Sequence, residues 1–190
     1  PAVLLADDFA AATINAANWT IDKTAFDTGE PTDESTVTII GGQVKFDVTV
    51  GVAPWPAISL MSAKTYSVKS SEPLTFEIDR VSLAYTLTSG TSAEERVYIV
   101  IKDSAGNFVH FSDYVAHDGR NFGWGYNKSI GALDDNPTGN SVNLRTLDGG
   151  TFDNEKLHRV KLVANGSTVK LFVDDTFGAE VPFPFSTGLS

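Results

Sequence analysis

His158-Arg-Val-Lys-Leu-Val-Ala-Asn-Gly-Ser-Thr-Val-Lys-Leu-Phe-Val173 is the stretch whose reading decides the fold. Two runs of alternating apolar and charged residues flank Asn165-Gly166. Alternation with a period of two is the signature of a strand with one buried face. Asn-Gly between two such runs is the strongest short-range signal for a hairpin, because a two-residue primed turn needs positive φ. A loop of Asn165 and Gly166 pairs Leu162 with Val169 and Val160 with Leu171, so the apolar residues share one face. The same register sets Lys161 opposite Lys170. Opposed like charges are unfavourable unless water screens them, so that face is expected to be wet.

Working outward, a second hairpin has the same logic. Val37-Thr-Ile-Ile40 meets Gln43-Val-Lys-Phe46 across Gly41-Gly42. This pairs Val37 with Phe46 and Ile39 with Val44 on one face, and leaves Thr38 and Lys45 on the other. Leu74 to Thr88 is long for one strand. Its apolar phase slips near Asp79-Arg80, where a β-bulge would restore a continuous buried face. Further strands are predicted at Ala57–Met61, Arg96–Lys102, Asn107–Tyr114, Arg120–Asn127 and Ser141–Leu147, and near Leu4–Phe9. Ala10 to Trp19 reads as loop or a short turn, and helical periodicity is nearly absent. Many short strands separated by turn residues predict an all-β fold. The expected architecture is a two-sheet antiparallel β-sandwich of jelly-roll type, one domain over residues 1–190.

Composition narrows the function. The chain has 24 acidic and 14 basic residues, a formal charge of −10. That disfavours nucleic acid, whose binding rests on a basic face. Anionic membrane surfaces are disfavoured for the same reason. No apolar run approaches the length of a membrane span. There is no cysteine, which excludes disulfides, thiol catalysis and cysteine-based zinc sites. The opening Pro1-Ala-Val-Leu-Leu-Ala6 lacks the basic region and apolar length of a signal peptide.

Asp7-Asp8-Phe9, with Trp19 ten residues after Phe9, together with the late hairpin through Asp174-Asp175, resembles the concanavalin A-like lectin/glucanase superfamily, including its laminin-G-like jelly rolls. The resemblance is one of layout across most of the chain, not of a diagnostic motif. It implies a sandwich with a carbohydrate-related role on an extracellular, cell or virion surface. It also implies that structural calcium is common in such domains. The family usually ends on one more strand beside the N-terminal one, and Ser186-Thr-Gly-Leu-Ser190 does not supply it. Either that strand lies in sequence not given, or a neighbouring domain or subunit covers the open edge, which implies assembly or a homo-oligomer.

The residues that could carry chemistry are few. In Arg120-Asn-Phe-Gly-Trp-Gly-Tyr-Asn127, strand period places Phe122, Trp124 and Tyr126 on one face. With Arg120 and Asn127 beside them, they could form a platform for a pyranose ring. They could equally be core, with glycines where another backbone passes. Trp55, between Pro54 and Pro56, could stand at a binding rim or plug a sandwich end. Asp7 and Asp8 are the candidate calcium ligands, against the plainer reading of solvated charge. Asp134-Asp135, Asp174-Asp175 and Asp153-Asn-Glu155 are similar clusters. The resembled glucanases carry Glu-x-Asp-x-(x)-Glu on one strand, and Glu77-Ile-Asp79-Arg-Val-Ser82 keeps only the first two carboxylates. His110, His117 and His158 show no metal-ligand spacing. The reading is therefore a non-catalytic carbohydrate-binding or adhesive surface domain with glycan or neighbouring subunits as partners. The alternative is a structural building block of an extracellular or virion assembly, and a glycoside hydrolase is the minor one.

Overall fold

The computed structural model describes residues 3–23, 35–48, 58–69, 71–80, 94–103, 107–116, 123–130, 141–142 and 157–182. All regular structure among them is β, with no helix. The strands are β1 (Trp19–Asp22), β2 (Thr36–Ile40), β3 (Gln43–Asp47), β4 (Ser59–Ser62), β5 (Leu74–Arg80), β6 (Glu94–Lys102), β7 (Asn107–Ala116), β8 (Gly123–Ile130), β9 (Ser141–Val142), β10 (His158–Ala164), β11 (Thr168–Val173) and β12 (Thr176–Pro182). Every pairing between them is antiparallel. The chain divides into two compact units, Pro1–Thr65 and Tyr66–Leu189.

In the first unit, β2 and β3 form the Gly-Gly hairpin in the expected register, Val37 with Phe46, Thr38 with Lys45 and Ile39 with Val44. Gly41 and Gly42 have φ of 62° and 78°, the left-handed pair that a type I′ turn requires. Leu4–Phe9 is not a strand. Asp7 and Asp8 each accept a hydrogen bond from the backbone N–H two residues on, Phe9 and Ala10, and Phe9 sits at φ 51°. Such side-chain turns compete with a strand ladder. The short turn expected before Trp19 is present: Asn18 N and Trp19 N both donate to Asn15 O at 3.0 Å. From it β1 leaves to pair with β4, Trp19 opposite Ser62.

The second unit holds two four-stranded sheets, ordered β12-β11-β10-β5 and β6-β7-β8-β9. One apolar cluster joins them. Val160, Leu162, Ala164, Val169, Leu171 and Val173 come from the first sheet, and Ile99, Ile101 and Val109 from the second. A shared core between two sheet faces defines a sandwich. Leu74 and Phe76 of β5 pack against its edge.

The β10–β11 hairpin keeps the expected faces but not the expected register. Leu162 pairs with Leu171 and Ala164 with Val169, so Lys161 faces Phe172 and Lys170 faces Val163. The cause is Asn165. Its Oδ1 accepts from Ser167 N at 2.9 Å and Thr168 N at 2.8 Å, and its own N donates to Thr168 O. Asn165 therefore precedes the turn instead of occupying it, and the loop is Gly166-Ser167. Of these two only Gly166 has positive φ, at 82°, the pattern of a type II′ turn. The pairing slides by two residues, which preserves every side chain's face. The opposed lysines of the sequence reading do not occur.

β12 is a strand that the sequence reading did not assign. Asp174 and Asp175, at φ 48° and 62°, turn the chain from β11 into it. A bulge between Leu171 and Phe172 then shifts its register. β5, by contrast, pairs with β10 without interruption from Leu74 to Arg80. The bulge expected at Asp79-Arg80 is absent up to Arg80, and residues 81–90 lie outside the described residues.

Leu162 is fully buried and Leu157, just outside β10, is exposed. Leu162→Ala is expected to cost about 2–5 kcal/mol of unfolding free energy through lost burial and a cavity. Leu157→Ala should stay within about 0.5 kcal/mol of wild type. Urea denaturation of both variants checks the pair.

Candidate functional site

Alternation along β10 decides what the sheet β12-β11-β10-β5 presents to solvent. Val160, Leu162 and Ala164 point into the core, so Arg159 and Lys161 project outward. On β5 the outward residues are Thr75, Glu77 and Asp79. On β11 they are Lys170 and Phe172. Register then sets Arg159 opposite Asp79 and Lys161 opposite Glu77.

Arg159 and Asp79 form a bidentate pair, Nε to Oδ1 at 2.7 Å and Nη2 to Oδ2 at 2.9 Å. Two parallel bonds of this kind fix geometry as well as charge. The Arg159 hydrogen bond holds the Asp79 carboxyl below its ordinary range. The guanidinium in turn is held more firmly protonated, by Asp79 first and by Glu77 and Asp175 further off. Lys161 bonds Asp175, which lowers the Asp175 pKa. Lys161 Nζ also lies 5.1 Å from the centroid of the Phe172 ring, within cation–π range. Phe172 meets Phe177 of β12 edge to face, 5.8 Å between centroids at 73°. Phe177 remains 50% exposed. Lys170 and Glu180 stand 3.6 Å apart beside them.

The turn that brings in Asp175 is anchored from β10. Asp174 Oδ1 accepts from Arg159 N at 2.9 Å, Asp174 N donates to Arg159 O at 2.9 Å, and Asp174 Oδ2 lies 2.6 Å from His158 Nδ1. A carboxylate thus continues the β10–β11 ladder where the backbone turns away. These bonds offset the left-handed conformation of two non-glycine residues, which costs roughly 1–2 kcal/mol each.

The result is an outward face with two aromatic rings bracketed by partnered ionic groups. It can offer an apolar surface and directional donors and acceptors. It is not arranged for acid catalysis at Asp79. A general acid on a glycosidic oxygen needs a raised pKa, and Arg159 does the opposite while occupying both carboxylate oxygens.

Asp7 and Asp8 belong to the first unit. Asp7 Oδ1 accepts from Phe9 N at 3.0 Å and Oδ2 from Trp19 Nε1 at 2.8 Å. The Phe9 N–H, then Trp19, hold its carboxyl below the ordinary range. Phe9 and Trp19 rings lie 5.9 Å apart. The Asp7–Phe9–Trp19 spacing thus marks a local staple. Among the described residues no three His, Asp or Glu side chains converge as metal ligands.

Trp124, Tyr126 and Asn127 lie on β8. Trp124 pairs with Asp113 of β7 and Val142 of β9, Tyr126 with Phe111, and Asn127 with His110. Arg120, Phe122 and Trp55 lie outside the described residues, as do Asp134, Asp135, Asp153 and Glu155. Trp124, Tyr126 and Asn127 are not on the sheet that carries the Arg159–Phe177 face, since β8 belongs to the other one. Sequence reasoning missed Phe172 and Phe177 as a pair. The signal available was Phe172 alternating with Lys170 on the face already expected to be wet.

No family model matches the chain, and no curated protein matches it. A solved structure of the endo-acting O-glycanases that prominent members of the human gut microbiota express to initiate mucin breakdown is similar over 97% of this chain and 77% of its own, with a TM-score of 0.56 and 11% identity. At that identity the likeness is one of fold: all-β, built from antiparallel sheets.

The lowered carboxylates set an acid limit to stability. Asp79, with an ordinary pKa near 3.8, contributes stability that is fully present above that value and is lost as pH falls through its lower folded value. Unfolding free energy should thus decline below about pH 4. Asp79→Asn should flatten part of that decline and cost about 0.2–1 kcal/mol at pH 7, the range for an exposed pair. Urea midpoints between pH 2 and 7 read both effects.

Proposed function

We propose that this chain is a non-catalytic carbohydrate-binding domain that takes its ligand on the outward face of β5, β10, β11 and β12. The observation that carries the proposal is Phe177. A half-exposed ring, braced edge to face by Phe172, which itself lies beneath Lys161 Nζ, on a sheet face that also carries the Arg159–Asp79 pair, is the combination a sugar requires. Its C–H surface needs an apolar plane, and its hydroxyls need fixed donors and acceptors. Ligand sites commonly pair apolar lining with a few placed polar groups. The concanavalin A-like layout of the sequence, and the likeness in fold to an O-glycanase structure, support a glycan over other small polar ligands. An extracellular or surface setting belongs to the same proposal.

Binding is favoured over hydrolysis because Asp79 is clamped by Arg159. Retaining hydrolysis needs two carboxyls about 5–5.5 Å apart, one of them protonated at the start of the cycle. Glu77 and Asp79 share the outward face of β5, so the site coincides with the position a glucanase would use, without a free second carboxyl there.

Binding to a glycan array, followed by calorimetry on the best ligand, tests the reading. Phe177→Ala should weaken binding by about tenfold, equivalent to about 1.4 kcal/mol, with an unchanged far-ultraviolet spectrum. Trp124→Ala should leave affinity within about twofold if the fold is intact. Loss of binding in Trp124→Ala alone would move the site to β8. No binding to any glycan would favour the structural building block.

A further inference from the structure

Resting on that reading, we infer that the glycan bound on this face is uncharged, and that sialylated, uronated or sulfated chains are rejected. The argument is the state of the cations. An anionic sugar is recognised by an Arg or Lys free to form a fork or a point contact with carboxylate or sulfate. Here Arg159 directs Nε and Nη2 at Asp79. Lys161 is held by Asp175 and lies over the Phe172 ring. Lys170 is beside Glu180. An incoming anion would meet cations whose charge is already offset by a neighbouring carboxylate, and would bring its own negative charge beside Asp79, Asp175 and Glu180.

The local field points the same way. Among the described outward residues, Arg159, Lys161 and Lys170 stand against Glu77, Asp79, Asp175 and Glu180, so the face carries an excess of negative charge. The whole chain is at −10. A surface of that sign lowers the encounter rate and local concentration of anionic ligands. A neutral sugar meets none of these costs. Its hydroxyls can take lone pairs of carboxylate oxygens already held in place, and Phe177 offers the apolar plane. The four strands span roughly 14 Å at about 4.8 Å per strand, wider than one sugar ring, so the ligand is an oligosaccharide crossing them.

The test is isothermal calorimetry of the wild-type chain and Phe177→Ala with matched pairs of oligosaccharides. Each pair has one neutral galactose- and N-acetylhexosamine-based backbone, bare or bearing sialic acid or sulfate. The expected result is binding of the bare backbone, at least about tenfold weaker binding of its anionic partner, and less than about twofold change in the former between 50 and 500 mM NaCl, since no counterions are released. Tighter binding of the anionic partner, weakening steeply with salt yet still reduced in Phe177→Ala, overturns the inference and leaves the face in place. Neutral binding that Phe177→Ala does not alter overturns the proposed face itself. An absence of binding to both members of every pair overturns both.

Discussion

Alternate residues of β10 are driven out of water between two sheets, and the rest of the second unit follows from that constraint. Val160 and Leu162 are fully buried, as are Val169 and Leu171 across the β11 ladder. Burying a side chain of this size contributes roughly 1.5–3 kcal/mol. Because strand period is two, burying one set of side chains forces the intervening set outward. Arg159, Lys161, Lys170 and Phe172 therefore owe their places to their apolar neighbours in sequence. The outward face is a by-product of the core.

Turn chemistry then decides which outward residues meet. Hydrophobic burial alone tolerates a slide of two residues, since either register keeps the apolar set inside. Asn165 removes that freedom by capping Ser167 N and Thr168 N with one side-chain oxygen. The slide replaces a Lys161–Lys170 clash with a cation over an aromatic ring. At the other end of β11, Asp174 and Asp175 accept a strained left-handed turn. Their carboxylates reach back to β10, to His158 and Arg159 N in one case and Lys161 in the other. Strain and charge pairing are coupled in that turn. The same aspartates that disfavour its backbone provide the bonds that hold it.

Ion pairs on an exposed face are weak stabilisers, since solvent screens them. Their consequence here is chemical. Arg159 bonds both oxygens of Asp79 and holds its carboxyl below the ordinary range, which makes that carboxylate a fixed acceptor. Arg159, Lys161 and Lys170 each stand beside a carboxylate in the same way. Charges paired in this way still present fixed hydrogen-bonding directions to solvent.

The sequence by itself determined the all-β class, most strand positions and the inward face of the β10–β11 hairpin, because period-two alternation is local and burial acts on every second residue. The β2–β3 register was legible in full, since Gly41 and Gly42 leave the turn a single reading. Asn165-Gly166 allowed two, as Asn can sit within a turn or cap it, and only the packed hairpin chose. β12 was hidden because Asp174-Asp175 lacks the glycine that usually announces a primed turn. In the candidate site, Lys161 and Phe172 were legible as outward residues but not as partners. Tertiary structure alone decided the Arg159–Asp79 pair, whose members are 80 residues apart in the chain, and the approach of Phe177 to Phe172 past a bulge. Contacts between distant strands depend on sheet order and register, and no local pattern of residue types encodes either.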